Sequence, residues 1–170
     1  MTIDLDATAI QGIVLGLASL PICLWVAYTD LAAMRISNLA VAMLMTVFIL
    51  GGLVTFDDGG TFGLRFVHVA VVLALGFGLA TAGILGAGDA KFAAAMAAFV
   101  ATGDAGLVLG LFTILLVVTF ALHRAARAVT PIRALTPGWQ SWEDRRHFPL
   151  GVTLATTHLT YLALAATHGV

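Results

Sequence analysis

Charge is what this chain has least of. Asp, Glu, Lys and Arg together make up 10% of its 170 residues, eight basic against nine acidic, while 61% are hydrophobic. So even a balance argues against the basic face that nucleic acid requires, and no nucleic-acid partner is expected. Cysteine is nearly absent too. One cysteine, Cys23, permits neither an internal disulfide nor a four-cysteine zinc site, and its place inside an apolar run marks it as a small packing residue. No metal or cofactor is expected. Polar sequence is confined largely to residues 123–149, which leaves no separate soluble domain and makes 1–170 a single membrane-embedded domain.

What the chain has is long apolar runs, and its mean hydropathy is +1.05. Runs near 9–28, 39–56, 66–86, 90–102, 105–122 and 148–167 predict an all-α integral membrane protein, a polytopic bundle of six transmembrane helices. These runs are continuously apolar and do not alternate with period two, so a β-barrel is disfavoured. The first reads as a retained span and not a cleaved signal, because Asp4 and Asp6 stand where a signal carries positive charge. The fourth is short. Twelve uncharged residues between Lys91 and Asp104 give about 18 Å of helix at the usual rise. Fusing 92–122 into one helix would move the arginines of 123–149 to the other side, and the positive-inside rule decides against it. With the N-terminus outside, Arg35, Lys91, Arg124, Arg127, Arg133, Arg145 and Arg146 are cytoplasmic and Arg65 is the sole external cation. Asp4, Asp6, Asp57, Asp58 and Asp104 then face outward, the last three as solvated loop residues.

Two aspartates break this pattern. Asp30 ends the first apolar run and Asp89 opens the fourth, within Gly86-Ala87-Gly88-Asp89-Ala90-Lys91, so both sit at the cytoplasmic membrane boundary. Ionisable groups so placed mark a functional site. Two carboxylates that meet share a proton, because like charges a few ångströms apart do not both ionise cheaply. The ionised one can take a proton from water while its protonated partner polarises a carbonyl, which is peptide hydrolysis. Gly86 and Gly88 would allow backbone angles closed to other residues and leave room for a substrate backbone, and a helix N-terminus there would favour charged Asp89.

The hexapeptide resembles the signature of type IV prepilin peptidases, membrane aspartic peptidases of the GxGD type. Asp30 to Asn38 is similar to that family's first-aspartate motif, an Asp followed by a basic residue and Ile-Pro-Asn, with Ser37 in place of proline. Phe148-Pro149-Leu150-Gly151 is similar to its Pro-Tyr-Gly opening of the last span, with Leu150 in place of tyrosine. The resemblance implies Asp30 and Asp89 as the catalytic pair. It also implies cleavage, at the cytoplasmic face of the bacterial inner membrane, of the short basic leader of prepilins and pseudopilins after a glycine. Bifunctional members also N-methylate the product and carry an extra cytoplasmic segment, often with a paired-CxxC zinc site. This chain has neither, and looks like the small TadV/CpaA-type members serving Flp (tight adherence) pili, without methyl transfer. Archaeal preflagellin peptidases are a more remote match.

The remaining polar residues divide between site and scaffold. Lys91 can orient Asp89, lower the pair's pKa, meet substrate, or simply snorkel. Arg35 either holds the interface or favours charged Asp30; Asn38 either caps the second helix or touches substrate. His68 and His158, inside spans, suit interhelical hydrogen bonds, and Gly106 with Gly110 suits helix packing within the bundle or between copies, as in a homo-oligomer. Residues 123–149, with Trp139 and Trp142 among the arginines, read as a cytoplasmic segment lying along the membrane face. With the basic leader that the resemblance implies, Glu143 and Asp144 are expected as its local acidic contacts. The competing classes are a proton-coupled small membrane transporter, for which no internal repeat is found, and a non-catalytic pilus assembly scaffold.

Overall fold

Each long apolar run becomes a helix, and polar side chains set most of the boundaries. The computed structural model describes residues 4–144 and 147–170; Arg145 and Arg146, expected on the cytoplasmic side, lie outside them. The helices are α1 (Ala9–Ala33), α2 (Asn38–Thr55), α3 (Gly59–Thr81), α4 (Ala87–Ala97), α5 (Ala105–Ala128), α6 (Thr130–Leu135), α7 (Gln140–Glu143) and α8 (Leu150–His168). Thr8 and Gln11 cap α1 reciprocally, Thr8 Oγ1 accepting from Gln11 N–H at 3.2 Å. Ser37 caps α2, accepting from Ala40 N–H at 3.1 Å, so the cap is Ser37 and not Asn38. Asp58 caps α3 from the surface, and its bonds from Thr61 N–H and Oγ1, at 2.6 and 2.8 Å, hold its carboxyl below the usual carboxylate range.

Five helices, α1, α2, α3, α5 and α8, are long and apolar enough to cross a membrane. In α3 and α5 only 11% of the most apolar window is buried inside the protein, so nearly all of their apolar surface faces outward, as lipid-facing helices require. The core lies between α1 and α8, the most extensive helix pair. Their backbones meet at Gly12, where a Cβ would stand 2.7 Å from Leu162 O. Cys23 is fully buried in this core with Leu15, Val26, Phe48, Phe92, and Leu162, as a packing residue. His158 Nε2 lies 3.1 Å from Ser19 Oγ, the interhelical bond expected of it.

The fourth apolar run differs from expectation. Its helix, α4, has 11 residues, about 16 Å, too short to cross alone. Residues 98–104 leave the helix as turns, buried from Ala98 (0% exposed) to Ala101 (2%) and exposed at Thr102 and Gly103, so the fused 92–122 helix does not form. Backbone groups freed inside apolar surroundings need partners. Tyr161 Oη accepts from Ala101 N–H at 3.0 Å, and His68 Nδ1 lies 3.2 Å from Val100 O.

Asp104 is also not the solvated loop residue expected. It is 4% exposed, and its carboxylate accepts from Asp6 N–H (2.9 Å), Ala7 N–H (3.1 Å) and Tyr161 O–H (2.8 Å). Arg65, expected as an external cation, is buried as well, its guanidinium 5.4 Å from the Phe56 ring centroid. Leu5 bridges to Gly169 beside this cluster, so both chain ends and the α4–α5 turn meet at one end of the bundle. The end of α1 at Asp30 and the start of α8 form the other. Gly106 and Gly110 have nothing of the chain within 4 Å of a built Cβ, so they do not pack inside the bundle. Asp104→Ala strands two buried donors and one part-buried donor and is expected to cost about 3 kcal/mol, with Tyr161→Phe nearer 1. Thermal unfolding in detergent, with proteolysis of the N-terminal residues as a second readout, checks both values.

Candidate active site

The end of α1 is shaped by a reversal of the backbone. Met34 adopts the left-handed conformation, φ 50°, and its N–H bonds Asp30 O at 2.9 Å, which stops the helix and turns Arg35 and Ile36 back across its end. From α3, Gly83 at φ 72° makes the comparable turn that leads into α4. These two turns bring the Asp30 motif and the glycine motif against each other. A cavity of about 240 Å³ lies between them, and Asp30, Arg35, Gly86, Gly88 and Asp89 are all in its wall, with Met34 and Ile36. Asp30 and Asp89 are 59 positions apart in sequence, yet line the same cavity.

Each carboxylate meets a helix N-terminus. Asp30, 5% exposed, accepts the Gly151 N–H at 2.6 Å from the first turn of α8. Asp89 is half-buried in the first turn of α4, directly after the Gly86 cap position. Burial opposes a charged carboxylate at both places, and unpaired amides and the positive end of the macrodipole favour it.

The glycines act through space and not through backbone angle. Gly86 has φ −68°, open to any residue, and among the described glycines only Gly83 and Gly138 have positive φ. A Cβ on Gly86 would stand 2.5 Å from Asp89 Oδ2, and one on Gly88 would stand 3.3 Å from Ile36 Cβ and O. Gly151 is as constrained, since its Cβ would lie 2.8 Å from Asp30 Oδ2 and 3.0 Å from Ile36 Cδ1. Its sequence signal was the Pro149-Leu150-Gly151 opening of the last helix, but the partner, Asp30, was not legible there.

Lys91 is exposed and donates to Asn38 Oδ1 at 3.0 Å, tying the first turns of α4 and α2 together on the rim beside Asp89. Arg35 is exposed at the cavity wall.

The described residues of 123–149 fold onto this end. Residues up to Ala128 continue α5, and α6 and α7 follow. His123 stacks on Trp142 at 5.1 Å, Trp142 on Trp139 at 5.7 Å, and Trp139 meets Tyr28 of α1 edge-on at 6.0 Å. Asp144 turns its carboxylate to His147 Nδ1 at 2.8 Å, so it engages a neighbour within the loop. Among the described residues no three His, Cys, Asp or Glu side chains converge as metal ligands.

No family model, curated protein or solved structure matches the chain.

Because space at Gly151 is already taken, Gly151→Ala is expected to lower stability by about 1–3 kcal/mol through overpacking against Asp30 and Ile36. Lys91→Met loses one exposed bond and is expected to cost less than about 1 kcal/mol. Paired thermal unfolding curves in one detergent distinguish the two.

Proposed function

We propose that this protein is a membrane aspartic endopeptidase that removes the short basic leader of type IV, Flp-type, prepilins and pseudopilins after a glycine, without N-methylating the product. The observation that carries this reading is the shared cavity: the two aspartates of the prepilin-peptidase-like motifs line one space, Asp30 bonded to the first turn of α8 and Asp89 within the first turn of α4. A transporter reading has no comparable support, since nothing in the two halves of the chain repeats this arrangement.

In the proposed reaction the pair holds one proton. The ionised carboxylate takes a proton from a water molecule as its oxygen adds to the scissile carbonyl carbon. The protonated carboxyl gives its proton to the carbonyl oxygen, which yields a neutral gem-diol. On collapse the C–N bond breaks, one proton passes to the leaving nitrogen, and a carboxylic acid and an amine result. The Gly151 amide fixes Asp30 in this scheme, and Gly86 and Gly88 keep side-chain bulk out of the space beside Asp89. Lys91 and Asn38 hold the rim, and Arg35 is available to substrate.

The location we propose is the bacterial inner membrane, with the cavity cytoplasmic, the N-terminus outside and the chain crossing six times. Support comes from charge: Arg35, Lys91, Arg124, Arg127 and Arg133 gather at the cavity end, and Asp4, Asp6, Asp57 and Asp58 at the other. In this reading α4 and the turns after it make the fourth crossing, from the Gly86 cap beside Asp89 to Asp104 under the N-terminal residues.

The test is processing of a co-expressed Flp-type prepilin, read by gel shift and N-terminal sequencing at matched enzyme levels. Asp30→Asn and Asp89→Asn are each expected to reduce cleavage by about 10²-fold or more, with unmethylated product from the wild type. Cleavage surviving in either variant contradicts the two-aspartate mechanism.

A further inference from the structure

A second cavity, of about 320 Å³, lies between α6 and α7, and its wall includes Arg133, Glu143, Trp139, Trp142 and Thr130. We propose that it holds the headgroup of a zwitterionic phospholipid, with the phosphate on Arg133 and the ammonium on Glu143 and the tryptophans. This inference is independent of the peptidase reading.

The cavity is formed by local structure. Gly138, at φ 85°, reverses the chain between the two short helices and returns Trp139 and Trp142 toward α6. The indoles stack with 14° between their planes, and Trp142 Nε1 donates to Thr136 Oγ1 at 3.0 Å, which fixes the wall. Neither the Arg133 guanidinium nor the Glu143 carboxylate bonds to a side chain among the described residues. Both are exposed, one of each sign, at one cavity.

Depth identifies the occupant as lipid. α6 follows α5 and packs on it, and α7 packs on the end of α1, two helices long enough to cross the hydrocarbon, so the cavity sits at headgroup level. Around it Val129, Ile132 and Leu135 expose their side chains, Leu135 by 82%, as residues entering the interface do. Charge then selects the class. A guanidinium suits phosphate, and a carboxylate beside an indole suits an ammonium through charge and cation–π attraction. An anionic lipid would satisfy Arg133 and leave Glu143 beside negative charge, and a basic peptide would do the reverse. A headgroup carrying both phosphate and ammonium answers both.

The experiment uses the whole protein with Trp25→Phe, so that Trp139 and Trp142 report alone, reconstituted in bilayers of mixed phosphatidylethanolamine and phosphatidylglycerol. Brominated acyl chains are placed on one lipid at a time, and fluorescence quenching reads which lipid is enriched at the site. Enrichment of phosphatidylethanolamine by about threefold or more is expected, from one exposed cation–π contact or better. Arg133→Gln is expected to abolish the enrichment, and Glu143→Gln to reverse it in favour of phosphatidylglycerol. Equal quenching by both lipids, enrichment of phosphatidylglycerol by the unmodified cavity, or relief of quenching by an added basic peptide overturns the proposal. So does an unchanged preference in Glu143→Gln.

Discussion

The contact on which the arrangement of the cavity end depends is the hydrogen bond from Gly151 N–H to Asp30, 2.6 Å long between positions 121 apart in sequence. A carboxylate buried to 5% exposure is costly unless something answers its charge. The first turn of α8 supplies an amide that has no partner within its own helix, and the carboxylate gives that amide an acceptor. Each group relieves the other. The same contact fixes the register of α8 against α1, which is why the helix pair can be packed closely enough that Gly12 and Gly151 have no room for a side chain.

At the opposite end a second carboxylate does comparable work without lining the cavity. Asp104 gathers two backbone amides of the N-terminal segment and the Tyr161 hydroxyl, and Tyr161 in turn accepts from Ala101. α8 therefore holds the fourth element at its far end through Tyr161, and meets Asp30 near its own start through Gly151. A helix as short as α4 cannot set its own depth in a bilayer by length. Fixing the buried turns after it to α8 is the physical means by which Asp89 is kept at the level of Asp30.

Much of this was legible because charge is so sparse. In apolar sequence each ionisable residue stands out, so Asp30 and Asp89 were singled out from position alone, as were the helical class, the packing role of Cys23 and the hydrogen bond of His158. The failures have a common cause, which is that partners remote in sequence are invisible in it. Asp104 lies between two apolar runs and reads as a loop residue until Asp6, Ala7 and Tyr161 are brought to it. Arg65 reads as a cation at the outer end, and its burial beside Phe56 is the part that sequence does not show. Of the two reasons that Gly86 and Gly88 suggest, angle and space, only space applies, and the neighbours that take it, Asp89 and Ile36, are not both evident from sequence. The capping error at Ser37 and Asn38 is a shift of one residue between two good capping types, and it freed Asn38 for Lys91.

The central claim is that Asp30 and Asp89 act as one unit, and a double-mutant cycle in precursor cleavage tests it most directly. If one proton is shared between them, either substitution alone removes the function of both, and Asp30→Asn combined with Asp89→Asn loses no more activity than the worse single change. Losses that multiply in the double variant would mean two independent contributions, and would contradict the account.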